Sequence, residues 1–163
     1  MNDAHAARKA NAGSIAVGLV AGGVCAAATI GVLLGLGQRS GAWWRPLNSA
    51  AHVILGARAD GVWGFESVVT PTGVAVVLVM SAVAGVVAGW LAFSPRARDA
   101  ALAAFAVTSA GYLVHVHLAA RLAGGLGALL TVGELRAVYC TAAVALLAGT
   151  RCATVRNAGE PPR

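Results

Sequence analysis

The chain has 163 residues, 58% of them hydrophobic and only 11% charged, with a net charge of +6 and a mean hydropathy of +0.76. Soluble domains carry roughly a quarter charged residues, so this composition excludes an ordinary water-soluble fold, and the length suits one membrane domain with no expectation of a separate soluble one. The basic residues stand in small groups at the ends of apolar runs, which is the pattern of membrane flanks and excludes nucleic acid as the partner.

The first apolar run predicts a spanning helix over about 15–36, without a charge and long enough for a bilayer. Ser14 is placed to cap its start. Arg8, Lys9 and Ala26-Ala27-Ala28 imitate a signal peptide, but the apolar stretch continues through Gly31-Val32-Leu33-Leu34-Gly35-Leu36, beyond the length of a signal core. Gly18-x-x-x-Gly22 and Gly31-x-x-x-Gly35 are spacings that let helix backbones approach closely in lipid. Cys25 and Cys140 fall in apolar segments and Cys152 just beyond one, so the thiols are read as small apolar groups and not as a disulfide framework.

A long outer segment, 38–70, follows. It holds Trp43, Trp44 and Trp63, three of the four tryptophans. At about 100° per residue, Leu47, Ala50, Ala51, Ile54 and Leu55 share one face while Asn48, Ser49 and His52 share the opposite one. With Pro46 in its first turn, this predicts a short amphipathic helix lying in the outer interface and pinned by indole rings.

The second span is expected at about 73–93, with Thr70 as the capping hydroxyl and Pro71 at the first helical position. Its β-branched stretch would suit a strand in water, but a continuous apolar run of this length favours the membrane helix. Ser81, Gly85 and Gly89 give it a small-residue packing face, and Trp90 suits an interfacial anchor. Ser94-Pro95 repeats the cap-and-proline device before a third span at about 100–118, which carries Thr108, Ser109, Tyr112, His115 and His117. Thr131-Val132-Gly133-Glu134 matches a capping box and opens a fourth span at 132–149, with Arg136 snorkelling toward the headgroups. The fold class expected is therefore an all-α membrane protein, an antiparallel bundle of four transmembrane helices with a short interfacial helix in the first outer loop.

Four spans put tails 1–13 and 151–163 and the loop after span two on one side. That side holds seven basic residues (Arg8, Lys9, Arg96, Arg98, Arg151, Arg156, Arg163) against five (Arg39, Arg45, Arg58, Arg121, Arg136) on the other. The bias predicts an inner-membrane protein with both termini cytoplasmic.

This topology gathers His52, Asp60, Glu66, Tyr112, His115, His117, Arg121 and Glu134 on the outer side, a candidate polar cluster, since ionisable groups near a membrane interior tend to be functional. The competing reading is that these groups only order the outer loop through hydrogen bonds. Imidazole and carboxylate would suit a metal, but His115 and His117 point about 200° apart on a helix. No Cys-x-x-Cys, His-Glu-x-x-His, nucleophile elbow or phosphate loop is present, so no metal, cofactor or catalytic residue is assigned. Haem would need axial ligands facing each other from two helices, and only the third span offers histidines. The function expected is a non-enzymatic structural or accessory module packed through Gly18, Gly22, Gly31, Gly35, Ser81, Gly85 and Gly89. Its partners would be the lipid bilayer and, beyond that, a second copy or a larger membrane protein. The alternative is a small transport or channel component, working as an oligomer through the outer cluster. No charge lies at the middle of spans one to three, where a transport pathway would need one.

Trp43-Trp44-Arg45-Pro46-Leu47-Asn48 with His52, the stretch Ala106-Val107-Thr108-Ser109-Ala110-Gly111-Tyr112-Leu113-Val114 and Glu134-Leu135-Arg136-Ala137-Val138-Tyr139 resemble, in that order, a group of small uncharacterised proteobacterial inner-membrane proteins. The resemblance covers most of the chain and implies four spans with no established function. It departs at His115, where the group carries an acidic residue, which puts a shared site there in doubt.

Overall fold

A computed structural model of the protein describes residues 3–92, 96–117 and 125–159, with side chains described from Gly13 to Thr154. Among these residues the secondary structure is helical throughout, without a strand. Four helices are long and apolar enough to cross a bilayer: α1 (Asp3–Arg39, apolar from Gly13), α4 (Val69–Leu91), α5 (Ala97–His117) and α7 (Val132–Gly159, apolar to Thr154). The chain is a multi-pass helical membrane protein. Short helices α2 (Arg45–Ala50), α3 (His52–Leu55) and α6 (Leu126–Leu129), with a 3₁₀ turn at Gly56–Arg58, build the end of the bundle where α1 and α5 finish and α4 and α7 begin. This is the loop end of the bundle.

Helix α1 is the hub, packed along its length against α4 on one side and α7 on another, while α5 closes the bundle against α7 and α4. Lipid offers no hydrophobic gain for helix association, so close backbone approach has to supply the dispersion energy. Small residues make that approach possible. A side chain added at Gly18 would strike the Gly85–Val86 backbone, one at Gly22 would strike Ser81 and Ala82, and one at Gly89 would meet the Ser14 carbonyl. Gly18, Gly22, Ser81, Gly85 and Gly89 therefore interlock as one α1–α4 seam. A second seam joins α7 to α1, where Gly149 lies against Ala21 and Val24. Ala21, Cys25, Ala104, Ala145 and Leu146 are buried together at its centre.

Gly31 and Gly35 do not join this packing. Both are exposed, and a Cβ on either would meet nothing within 4 Å. The reason is the helix path: by these residues α1 presents Leu33 to the core cluster at the loop end, and the glycines fall on the outward face.

The short helix in the first loop also differs from expectation. Pro46, Leu47, Asn48, Ser49 and Ala50 of α2 are all buried, so the polar face of α2 is turned into the protein and not to water. The helix plugs the loop end. Gly73 of α4 lets α2 approach so closely that a methyl there would overlap the Leu47 carbonyl, and Gly37 of α1 gives similar room to the carbonyls of Ala42 and Trp43. Leu47 and Ala50 then join Leu33, Val77 and Val138 in one cluster drawn from α1, α2, α4 and α7. The amphipathic pattern breaks after Ala51, and Val53 and Ile54 on α3 remain 82% and 65% exposed. The chemistry of Asn48 explains why a polar residue could go inward.

Candidate functional site

Asn48 is fully buried and fully bonded. Its amide nitrogen donates to the carbonyls of Val62 (3.0 Å) and Gly64 (2.8 Å), and its Oδ1 accepts from the Thr70 hydroxyl (2.7 Å). Thr70 in turn accepts the Glu66 backbone N–H at 3.0 Å. One side chain on α2 therefore ties down two carbonyls of an irregular loop and the first turn of α4. Non-helical backbone needs this kind of internal satisfaction near a membrane.

The Thr70 hydroxyl is thus taken up by Asn48 and does not cap α4. The helix begins at Val69 with Val68 before it, and the Glu66 carboxylate receives the N–H groups of Val68 (3.0 Å) and Val69. The Val69 N–H, foremost, holds the Glu66 carboxyl below its ordinary value. Pro71 falls within the first turn, where its missing N–H has no intrahelical partner to lose. Beside this network Arg45 lies 3.9 Å above the Trp63 ring, a cation–π contact, with its Nε buried and lacking a hydrogen-bond partner. Trp44 packs edge-on against Phe65.

His52 pairs with Asp60, its Nδ1 lying 2.9 and 2.8 Å from the two carboxylate oxygens. A carboxylate only accepts, so the ring donates from Nδ1. Asp60 Oδ1 also accepts the Gly125 N–H at 3.3 Å. Gly125 has a positive φ of 71° and sits against His52 and the Ser49 carbonyl. The pair therefore joins the α2–α3 plug to the turn that starts α6.

A second polar group lies between α5 and α7. His115 Nδ1 and the Tyr139 hydroxyl are 3.2 Å apart, Tyr112 meets Tyr139 edge-on, and Arg136 Nε donates to the Tyr112 hydroxyl at 3.4 Å. Gly127 of α6 approaches the far side of the His115 ring. Thr131 and Glu134 form the capping box: the Thr131 N–H and hydroxyl donate to Glu134 Oε2 at 2.9 and 2.8 Å, and the Glu134 N–H donates to Thr131 Oγ1 at 3.3 Å.

Of the eight residues expected to gather, the structure brings together His52 with Asp60, and Tyr112 with His115 through Tyr139. Glu66 and Glu134 cap helices and meet no histidine, and His117 is exposed at the last residue of α5. Arg121 and the Ser94-Pro95 cap lie outside the described residues. The segment 125–129 passes between the two histidine groups, touching His52 on one side and His115 on the other. Among the described residues no three His, Cys, Asp or Glu side chains converge on a point that could hold a metal.

Sequence reading missed Asn48 as the organising residue, although its place beside Pro46-Leu47 was noted. A buried amide leaves no signal in hydropathy, because it scores as surface. Tyr139 was likewise missed as a partner. The available signal was its place one turn inside the capping box of α7, at the level of Tyr112. No family model, no curated protein and no solved structure matches the chain.

Proposed function

We propose that the protein is a non-enzymatic structural or accessory module of the inner membrane, whose packed helices hold a rigid cap at the loop end. One observation carries this reading. The middle of the bundle is filled by apolar side chains, Ala21, Cys25, Ala104, Ala145 and Leu146, drawn from α1, α5 and α7. The buried hydroxyls of α5 and α7 are turned onto their own helices, Thr108 to the Ala104 carbonyl and Thr150 to the Leu146 carbonyl, and Ser81 and Thr29 are taken up by the Cys25 thiol. A pathway for ions or protons needs polar groups facing a wet interior, and this core offers dry contacts instead. The loop-end polar groups are engaged in capping and in tying loops together, which supports a scaffold more than a transport site. Both termini on the cytoplasmic side, and kinship with the proteobacterial group carrying Trp43-Trp44-Arg45-Pro46-Leu47-Asn48, belong to the same proposal.

Thiol labelling in intact membranes tests it. With Cys140 and Cys152 replaced by serine, the native Cys25 and a cysteine placed at Ala104 are expected to resist a water-soluble maleimide. Cysteines at Val53 and Trp63 are expected to react. Rapid labelling at Ala104 would reveal water in the bundle and favour the transport reading.

A further inference from the structure

The seam between α5 and α7 differs from the two seams of α1. It is held by aromatic and polar contacts near the loop end, and below these it opens into a shallow lateral furrow of about 340 Å³. Helix α5 runs toward the loop end and α7 away from it, so the furrow descends from Tyr112 and Arg136 past Ser109 and Thr108 to Phe105 and Ala143. Seven residues separate Arg136 from Ala143, a descent of roughly 10 Å toward the bilayer centre. Thr108 spends its hydroxyl on the Ala104 and Phe105 carbonyls, so the deep wall is apolar in effect.

The top of the furrow is cationic. Arg136 is exposed, and its one hydrogen bond among the described residues runs from Nε to the Tyr112 hydroxyl. That long bond turns the guanidinium toward the furrow and leaves both terminal nitrogens to donate. Among the described residues no carboxylate lies within ion-pair distance of it; the nearby Glu134 is engaged by Thr131. A guanidinium fork with two terminal nitrogens left to donate matches phosphate geometry. A cation one turn inside the start of the α7 span, long enough to snorkel toward the headgroups, above an apolar slot that runs toward the middle of the span matches one class of molecule.

We propose that the α5–α7 furrow is a binding site for an anionic phospholipid, with its phosphate on Arg136 and the upper part of one acyl chain between Ser109, Phe105 and Ala143. This site is independent of the scaffold reading above. The acyl chain gains little by leaving bulk lipid, since lipid tails are as apolar as the furrow wall. Selectivity therefore comes from the headgroup, and the furrow positions the chain so that the phosphate meets the arginine.

Native mass spectrometry of the full chain in an uncharged detergent tests the site, with phosphatidylglycerol and phosphatidylcholine of identical acyl chains added in equal amounts. The wild type is expected to retain phosphatidylglycerol over phosphatidylcholine by about five-fold, the factor of one arginine at a membrane surface. Arg136→Gln should bring the ratio close to one, while Arg45→Gln, which removes the charge stacked on Trp63, should leave it unchanged. Ala143→Phe should reduce retention of both lipids by filling the slot, and Ser109→Phe gives the same reading if the first variant misfolds. Equal retention of the two lipids by the wild type overturns the proposal. So does an unchanged ratio in Arg136→Gln, or an equal fall in Arg45→Gln. A dimer that Ala143→Phe converts to monomer without loss of lipid would show that a second copy covers the furrow, and would also overturn it.

Discussion

Replacing Gly85 with alanine adds one methyl at the tightest point of the α1–α4 seam. The new Cβ would lie 2.5 Å from Gly22 N and 2.7 Å from Gly22 Cα, and closer still to the Gly18 carbonyl oxygen. All three are backbone atoms, so no side chain can turn aside. Ordinary contact begins near 3.4 Å, which requires the helices to part by roughly 0.7–1.2 Å. A gap of about that size forfeits a quarter to a half of each dispersion contact along the seam, and overpacking of this kind costs about 1–3 kcal/mol. Alanine returns up to about 1 kcal/mol through its better helix propensity. The net expectation is a loss of about 1–2 kcal/mol.

Gly31→Ala is the matched control. It makes the same chemical change in α1, at a position where the added methyl meets nothing within 4 Å. Only the propensity effect remains, so stability should hold or rise by up to about 1 kcal/mol. The two variants should therefore differ by about 2 kcal/mol, roughly a thirty-fold ratio in the unfolding constant. Titration of the purified proteins in mixed micelles of rising SDS fraction, followed by helical circular dichroism, measures it. If Gly85→Ala proves as stable as Gly31→Ala, close α1–α4 approach is not what holds this bundle together.

Three further expectations concern the loop end. Gly73→Ala places a methyl on the Leu47 carbonyl and should lift α2 from α4, seen as faster hydrogen exchange at residues 45–51 with α5 unaffected. Asn48→Leu keeps the number and branching of the side-chain heavy atoms but strands the Val62 and Gly64 carbonyls and the Thr70 hydroxyl; a loss of about 2 kcal/mol is expected, with proteolysis appearing between Asp60 and Glu66. The carboxyl of Glu66 is held below its ordinary value of 4.5, so its stabilising effect is complete above the unfolded value and is lost as pH falls through the lower folded one. The protection factors of the Val68 and Val69 amides, taken relative to the intrinsic exchange rate at each pH, should fall on acidification through that window, and Glu66→Gln should abolish this acid dependence.

The four spans were legible because hydrocarbon imposes a one-dimensional rule: about twenty apolar residues without charge form a helix. The Thr131–Glu134 box was legible for a similar reason, since both of its partners lie within one helical turn. What failed depended on contacts distant in sequence. The pattern at Leu47–Leu55 alternates like an interfacial helix, yet Asn48 goes inward because Val62, Gly64 and Thr70, 14 to 22 residues later, supply its partners. Thr70 was expected to cap its own helix, and it cannot while that same asparagine holds it. Gly31-x-x-x-Gly35 has the same spacing as Gly18-x-x-x-Gly22, and the difference between them lies in α4: Ser81, Gly85 and Gly89 face the second pair, and nothing comparable faces the first. Small-residue spacing marks a surface able to pack closely, and the opposing helix decides whether it does.

The same logic separates the two halves of the bundle. Where α1 meets α4 and α7, glycine and alanine bring backbones together and leave no side chain free to move. Where α5 meets α7 near the loop end, Tyr112, His115, Tyr139 and Arg136 hold the helices through ring edges and long hydrogen bonds of 3.2 and 3.4 Å. Contacts of that type break singly, whereas an interlocked backbone seam opens only as a whole. Any local opening of this protein should therefore begin along α5, beside the furrow, with the α1–α4 seam still closed. The His52–Asp60 tie to Gly125 anchors the turn that starts α6, and cutting it with Asp60→Asn should lower protection first around residues 112–117 and 125–130. Loss of protection beginning instead at Gly18–Gly22 would reverse this order and place the weak seam on α1.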